Sequence, residues 1–502
     1  MEIKTVKLFE GDNINDIANA IIEEILPLFD KSLDAASSAA SSILNKFDPS
    51  FFKYRSGEPK TLRFVGTFTL GHDKCLLNFY CFPKYMKQHS SADVSDMYLI
   101  IKAIERVGLT PICPEISVFN AAKPNTRKSQ MLRTELAQWI VKDYLRSGII
   151  NIKTKQTSLK QRGNTNWTKT VSRIIPVTDG ESFIYPQRYN TYYNPDSELL
   201  VSKLHRAAVA EALRLLHSIG AHKEIAVPDH DAAILGRLSN YSGFLQKMLN
   251  RVYEDRQVHT LRAVLAWCTN YSRFYDQPVG TASFELVWER CLRMVFDNVS
   301  ENRIKGDFTF ENPVYHIDNK PYKLKNSRGI PDIINIERDN KKFMLLDAKY
   351  YLGSIKDDEI TDVPMYKDIS KQLYYYDMLC SYGLSEENGV NAFVMPVHSY
   401  NGEEVRLDDG KWFRYVGYVD YSDDTNNALM KKFGLKRQTE SGIYKSTVLL
   451  AQVEPLYIFR LAVSDNGDDN KRHTEEFQTA LSKNLADILK EKNPTAEQAP
   501  LN

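Results

Sequence analysis

The sequence predicts a mixed α/β chain, α+β overall: a C-terminal core with a mixed central sheet flanked by helices, preceded by a mixed and then mainly helical N-terminal region. Three observations predict it. Apolar residues recur at three- and four-residue spacing from about 197 to 219 and again from 229 to 275. Past "DQPVGTAS" (276–283) the pattern changes to helix, strands, helix and strand. Near the N-terminus, β-rich runs in "TLRFVGTFTLGHDKCLLNFYCFPKY" (61–85) flank Gly71-His72-Asp73, as in a hairpin.

At 502 residues the chain exceeds one ordinary core. Four segments are expected: 1–195, an α+β region that could contact DNA; 196–280, a helical connection; 281–465, the core that carries chemistry; and 466–502, a helix with a flexible tail. Hydrophobic content of 43% and charged content of 26% fit a globular protein. No run of about 18 apolar residues occurs, and "MEIKTVKLFEGDNINDIANAI" lacks the order of a signal peptide, so the expected location is cytoplasmic, with no membrane partner. Six cysteines without a CxxC pair argue against a zinc site or a disulfide framework. The net charge of +1 provides no whole-chain field toward nucleic acid, so DNA binding would need a local patch or a partner.

Along the chain, "NINDIANAIIEEILPLF" has helical periodicity, whereas the Ala/Ser-rich "DKSLDAASSAASSILNKF" reads equally as helix or linker. Helices are expected near 93–107 and 128–146. Between Tyr144 and Thr178 stand seven basic residues, Arg146, Lys153, Lys155, Lys160, Arg162, Lys169 and Arg173, and no acid. Such a stretch can neutralise phosphates, with Trp167 stacking on a base. It also suits a solvated loop anchored by Trp167, or a partner-binding surface, and the three readings stay open.

Chemistry concentrates in "RGIPDIINIERDNKKFMLLDAKYY" (328–351). The first strand starts after Pro331, "RDNK" turns, and "FMLLDAKYY" runs as a buried strand. Residues two apart on a strand share a face, so Asp347 and Lys349 point the same way. Pairing across the turn brings Asp332 to Asp347. Buried paired carboxylates are costly without a compensating cation, and Mg²⁺ (or Mn²⁺) suits hard oxygen ligands. Asp332, Asp347 and the Ala348 carbonyl are the candidate metal ligands, with Lys349 beside them for the attacking water or the developing charge. A solvated Asp–Lys pair at a hairpin end is the plain alternative.

Two flanking helices add to the cluster. "SFELVWERCLRMVF" (283–296), with Ser283 as the expected cap, places Glu285 and Glu289 one turn apart beside its apolar face. "KDISKQLYYYDML" (367–379), with Asp368 as the expected cap, places Gln372 and Tyr376 on one face, where Gln372 could orient a ligand or contact DNA and the tyrosines could pack. Apolar strands are expected at 389–397 and 413–421, and a charged helix at 473–490 before a disordered tail.

Helix with Glu, "IPD", "LDAKYY", "DISKQLYYY" and an apolar strand, in that order, resemble the PD-(D/E)xK nuclease superfamily with the Q-x-x-x-Y helix of its RecB-like branch. More closely, "FELVWE", "PDII", "DAKYY" and "DISKQ", with upstream "FVGTFTLG", "FPKY", "GNTNWTKT" and "SKLHRAAVAEAL", resemble the LlaJI-type restriction endonucleases, which are related to McrC. The resemblance spans about residues 60 to 420. It implies a PD-(D/E)xK restriction-endonuclease-like core at 281–465 and a Mg²⁺-dependent endonuclease subunit of a phage-defence system that cuts double-stranded DNA. It also implies catalytic Asp332, Asp347 and Lys349, an accessory Glu289 or Glu285, and a supporting Gln372. The implied partner is a McrB-like AAA+ GTPase docked on the N-terminal half, and dimerisation of nuclease domains is a further expectation. The sequence holds no GxxxxGK[ST] phosphate loop, in keeping with a motor on another chain. A non-catalytic assembly subunit of such a motor, and a nuclease of repair or transposition, are the competing readings.

Overall fold

The computed structural model describes residues 2–29, 32–54, 59–72, 75–88, 93–108, 115–117, 130–152, 155–159, 161–178, 180–193, 195–231, 234, 238–274, 278–297, 299, 314–317, 320–323, 331–337, 342–357, 359–384, 389–400, 407, 410–419, 447–464 and 466–492. Two compact units emerge: unit 1 is Met1–Gly66, Gly71–Thr110 and Gly280–Asn502, and unit 2 is Thr67–Leu70 and Pro111–Val279. These units do not follow the linear segments 1–195, 196–280, 281–465 and 466–502, because the first 110 residues, bar four, cluster with the last 223.

Strand β1 (Glu2–Phe9) leads to helix α1 (Ile14–Ile25), where the Asn13 side chain accepts from the Asn15 and Asp16 backbone N–H groups and Asp16 closes a capping box. Ile17, Ile21 and Ile25 form its buried stripe. The Ala/Ser-rich stretch is helix α2 (Leu33–Leu44), buried along Ala36, Ala39, Ala40 and Ile43. Small side chains on one face let it lie close to α1, and alanine favours the helix. Strands β2 (Val65–His72) and β3 (Cys75–Phe82) follow. β3 pairs in parallel with β1, from Glu2 opposite Cys75 to Phe9 opposite Phe82, so α1 and α2 lie within the crossover that a parallel pair needs. Helix α3 (Val94–Arg106), capped by Asp93, buries Met97, Ile100, Ile101 and Ile104.

Unit 2 holds α4 (Arg133–Ser147), the short α5 (Trp167–Arg173), α6 (Pro195–Ser218), α7 (Ser242–Leu249) and α8 (Asp255–Phe274). Helices α4, α6 and α8 pack on one another. Arg256 of α8 donates from Nε and Nη2 to the Asp143 carboxylate of α4 at 3.2 and 3.3 Å, and from Nη2 to the Gly148 carbonyl at 2.9 Å. On α6, Ser202 donates to the Ile150 carbonyl at 2.9 Å, and His205 Nδ1 accepts from the Ile150 N–H at 3.0 Å. One turn of α6 thus satisfies both backbone groups of a buried loop residue.

The chain returns to unit 1 with α9 (Phe284–Phe296), whose stripe Phe284, Val287, Trp288, Cys291, Leu292 and Val295 is buried. The expected Ser283 cap is not formed: its side chain accepts no bond from the first turn, and its backbone N–H donates to the Thr281 hydroxyl at 3.1 Å. Strands β4 (Ile333–Glu337) and β5 (Lys342–Ala348), helix α10 (Tyr366–Ser381), and strands β6 (Gly389–Pro396), β7 (Phe413–Val419) and β8 (Val448–Val453) build a five-stranded mixed sheet in the order β4-β5-β6-β8-β7. β4–β5 and β7–β8 are antiparallel, whereas β5–β6 and β6–β8 are parallel. Every residue from Phe343 to Asp347 is buried, so both faces of β5 are covered. Phe343 and Leu345 face Tyr375, Tyr376 and Leu379 of α10. Helix α9 lies against β4 and β5, and after α11 (Pro455–Ser464) the long α12 (Gly467–Lys492) lies against β6 and β7. The expected turn at 338–341 and the expected tail fall outside the described residues. Among the described residues no helix is long and apolar enough to cross a membrane.

Candidate functional site

In β4–β5 the register pairs Ile333 with Leu346, so the next pair outward is Asp332 with Asp347. Alternation puts Asp347 on the face of Phe343 and Leu345, at the carboxyl end of a strand with a parallel neighbour, which is where α/β sheets present ligand sites. Asp332 Oδ2 accepts from the Ala348 N–H at 3.1 Å, fixing the strand end against the Pro331-Asp332 turn. The Lys349 N–H donates to the Val394 carbonyl at 2.9 Å, so the residue stays docked on β6 although the strand has ended.

Lys349 Nζ is 2.9 Å from Asp347 Oδ2 and 2.9 Å from Asp368 Oδ1. The Phe393 ring, opposite Asp347 in register, lies 5.7 Å from the same ammonium. Asp347 is 3% exposed. Burial pushes its carboxyl up to about 7, a hydrogen bond to Asp332 and that group's charge add to the rise, and Lys349 opposes it. A neighbouring cation would offset that repulsion and desolvation. The Lys349 contact to Asp347 Oδ2 is a close ion pair without hydrogen-bond geometry, leaving that buried oxygen with no donor aimed at its lone pair. Burial pulls the Lys349 ammonium down, but Asp347 and Asp368 outweigh it and raise it, so lysine stays charged.

Among the described residues no group of three or more Asp, Glu, His or Cys side chains converges to hold a metal. Two carboxylates and a backbone carbonyl are nonetheless an adequate donor set for Mg²⁺, which keeps several waters and takes the rest of its shell from substrate phosphate. A buried Asp347 with an undersupplied oxygen, beside the half-buried Asp332, fits such an ion.

The other sequence-expected residues are placed differently. Gln372 is 1% exposed and directs Nε2 to the Leu345 carbonyl at 3.4 Å, tying α10 to β5. Tyr376 does the same one turn on, donating to the Gly389 carbonyl at 3.4 Å and packing on Phe343 at 5.0 Å. Glu289 is paired with Arg293 at 3.0 Å, and Arg293 Nε holds the Asp332 carbonyl at 2.8 Å, so this glutamate reaches the Asp332 turn through an arginine. Glu285 is exposed, and its charge is felt by Glu10.

In unit 2, Lys153 and Lys160 lie outside the described residues, and Lys155 opens the strand Lys155–Ser158. Arg146, Arg162 and Arg173 are exposed. Trp167 is 52% exposed, edge-on to Tyr185 at 6.1 Å with the Arg188 guanidinium 5.4 Å over its ring, so it is not a core anchor. Lys169 Nζ lies 4.8 Å over Tyr189.

Two contributors were not singled out from the sequence. Asp368, expected as a helix cap, stands at the third helical position: its Oδ2 accepts from the Met365 N–H at 3.0 Å and its Oδ1 from Lys349. Glu10, just past β1, accepts from the Tyr350 hydroxyl at 2.7 Å, and Tyr350 also meets Tyr85 and Phe284 edge-on or tilted. Burial raises the Glu10 carboxyl against the lowering effect of Tyr350 and Lys84. Acidity and proximity in "DISKQ" to the lysine motif were the only signal for Asp368; none existed for Glu10.

The chain is 29% identical over 248 residues to the type II restriction enzyme BsuMI component YdjA of Bacillus subtilis (strain 168), a match covering 47% of this chain and 51% of that protein. It therefore spans about half the length of this curated relative. A likeness to the Thermococcus gammatolerans half-complex of McrB AAA+ hexamers with bound McrC covers 92% of this chain and 99% of that one, at 15% identity and a TM-score of 0.29, too low to carry an argument. Residues 64–411, well over half of the chain, match the LlaJI restriction endonuclease family, and the protein belongs to that family.

Proposed function

We propose that this chain is the Mg²⁺-dependent DNA endonuclease subunit of a restriction system, hydrolysing phosphodiester bonds in double-stranded DNA. The observation that carries this reading is the convergence of Asp332, Asp347 and Lys349 at the carboxyl end of β5, in a chain of a restriction endonuclease family. The five-stranded mixed sheet with α9 and α10 beside it is what a PD-(D/E)xK core requires, and it supports assigning one to 281–465.

In this reading Asp332, Asp347 and the Ala348 carbonyl hold Mg²⁺ or Mn²⁺. Such an ion lowers the pKa of a bound water and stabilises charge on a phosphate. Lys349 stays charged and presents an ammonium beside the carboxylates, where it orients the attacking water or meets the developing negative charge. Arg293 fixes the Asp332 turn through its carbonyl, and Glu289 and Glu285 remain the two candidates for an accessory role on α9. Gln372 supports β5 from behind through Leu345.

The partner in this reading is a McrB-like AAA+ GTPase, on the strength of the family resemblance. Co-purification with that motor, followed by cleavage assays, tests the proposal: cutting should need both GTP and Mg²⁺. Cutting that persists in excess chelator would overturn the metal assignment, and cutting by the chain alone without GTP would overturn the division of labour.

A further inference from the structure

We propose that Asp368 is a positioning residue: it holds the Lys349 ammonium so that the Asp347 carboxylate is free to take a divalent cation. The inference rests on the nuclease-site reading above and goes beyond it, since the sequence marks Asp368 only as a helix cap. One ammonium stands 2.9 Å from each of two carboxylates, and all three side chains are nearly enclosed, with side-chain exposures of 13% for Lys349, 5% for Asp347 and 12% for Asp368. An enclosed ammonium needs an anion, and an ion pair near the interior is far stronger than one in water. With Asp368 in place, a cation arriving at Asp347 displaces the lysine from one carboxylate and leaves it on the other. Without Asp368, the neighbours described around Nζ are Asp347 and the Phe393 face, so lysine and metal would compete for the same oxygen.

The capping role is separable. Asp368 uses Oδ2 for the Met365 N–H and Oδ1 for Lys349. Asp368→Asn retains the volume and one oxygen acceptor for the cap while removing the charge.

The test is calorimetric titration of the full chain with Mn²⁺, alongside thermal unfolding, for the wild type, D368N, K349M and the D368N/K349M double variant. D368N should bind Mn²⁺ about tenfold more weakly than wild type, the scale of a lost partner for one enclosed charge. The double variant should bind within about twofold of K349M alone, because the competing ammonium is gone. Unchanged binding in D368N would overturn the proposal and leave Asp368 a cap. Weak binding in D368N that K349M does not rescue would also overturn it, pointing to Asp368 as a ligand in its own right. If folded wild-type protein binds no Mn²⁺, the nuclease-site reading fails, and the proposal with it, which is a distinct outcome from the other two. Asp368→Ser, which retains a capping hydroxyl, replaces D368N in the same comparison should the latter not fold.

Discussion

Protonation of His205 opposes the fold of unit 2. The ring is 1% exposed, its Nδ1 accepts from the Ile150 N–H, and its Nε2, which then carries the proton, is buried without a partner among the described residues. Burial lowers its pKa from 6.5 to about 4. The folded state holds the neutral ring, so stability is complete above pH 6.5 and falls as pH drops from there toward 4, by about 3 kcal/mol if the whole shift is realised. Denaturant unfolding of wild type and His205→Asn across that range measures it: the wild type should lose stability on acidification and the asparagine variant, which retains an acceptor near Nδ1, should lose much less. At the candidate site, the residues legible in sequence are those fixed by local rules. Alternation on β5 and hairpin register suffice to bring Asp332, Asp347 and Lys349 together. Asp368 is 19 residues from Lys349 and Glu10 is 340 from Tyr350, contacts that only packing creates.

At the scale of elements, α10 and β6 approach through a glycine. A Cβ on Gly389 would stand 2.5 Å from the Phe343 ring and 2.6 Å from the Tyr376 hydroxyl. Gly389→Ala should therefore destabilise unit 1 by about 1–3 kcal/mol, the usual cost of overpacking, read as a lower denaturant midpoint. A midpoint equal to wild type would mean that α10 has room to move. Helix α5 and its surroundings carry the second element-scale prediction. If exposed Arg162 and Arg173 and half-buried Lys169 meet phosphates, replacing all three with Gln should reduce the slope of log affinity for DNA against log salt by roughly 3. An unchanged slope would reassign the segment to a protein partner. Helix α2 shows why element type was open: buried Ala and outward Ser differ little in polarity, so the periodic signal is weak, and only packing on α1 decides it. The α9 stripe, built of Phe, Val, Trp and Leu, left no such ambiguity.

Over the whole molecule, unit 1 is assembled from both ends of the chain, and a linear reading of composition cannot show that. Glu10 holds Tyr350, Arg63 donates to the Ala282 carbonyl at 2.8 Å, and Arg290 donates to the Val107 carbonyl at 2.8 Å. Residues 281–502 alone should thus lack a cooperative thermal transition and regain one when residues 1–110 are co-expressed. A cooperative transition in the isolated fragment would show that it folds unaided. Membership of the LlaJI restriction endonuclease family supports the proposed nuclease reading, and the β4–β5 end gives it a chemistry to test. The most direct test is DNA cleavage by Asp347→Ala in the co-purified assembly with Mg²⁺ and GTP. The account predicts that cutting falls by at least about a thousandfold while the assembly elutes intact; cutting at the wild-type rate would contradict it.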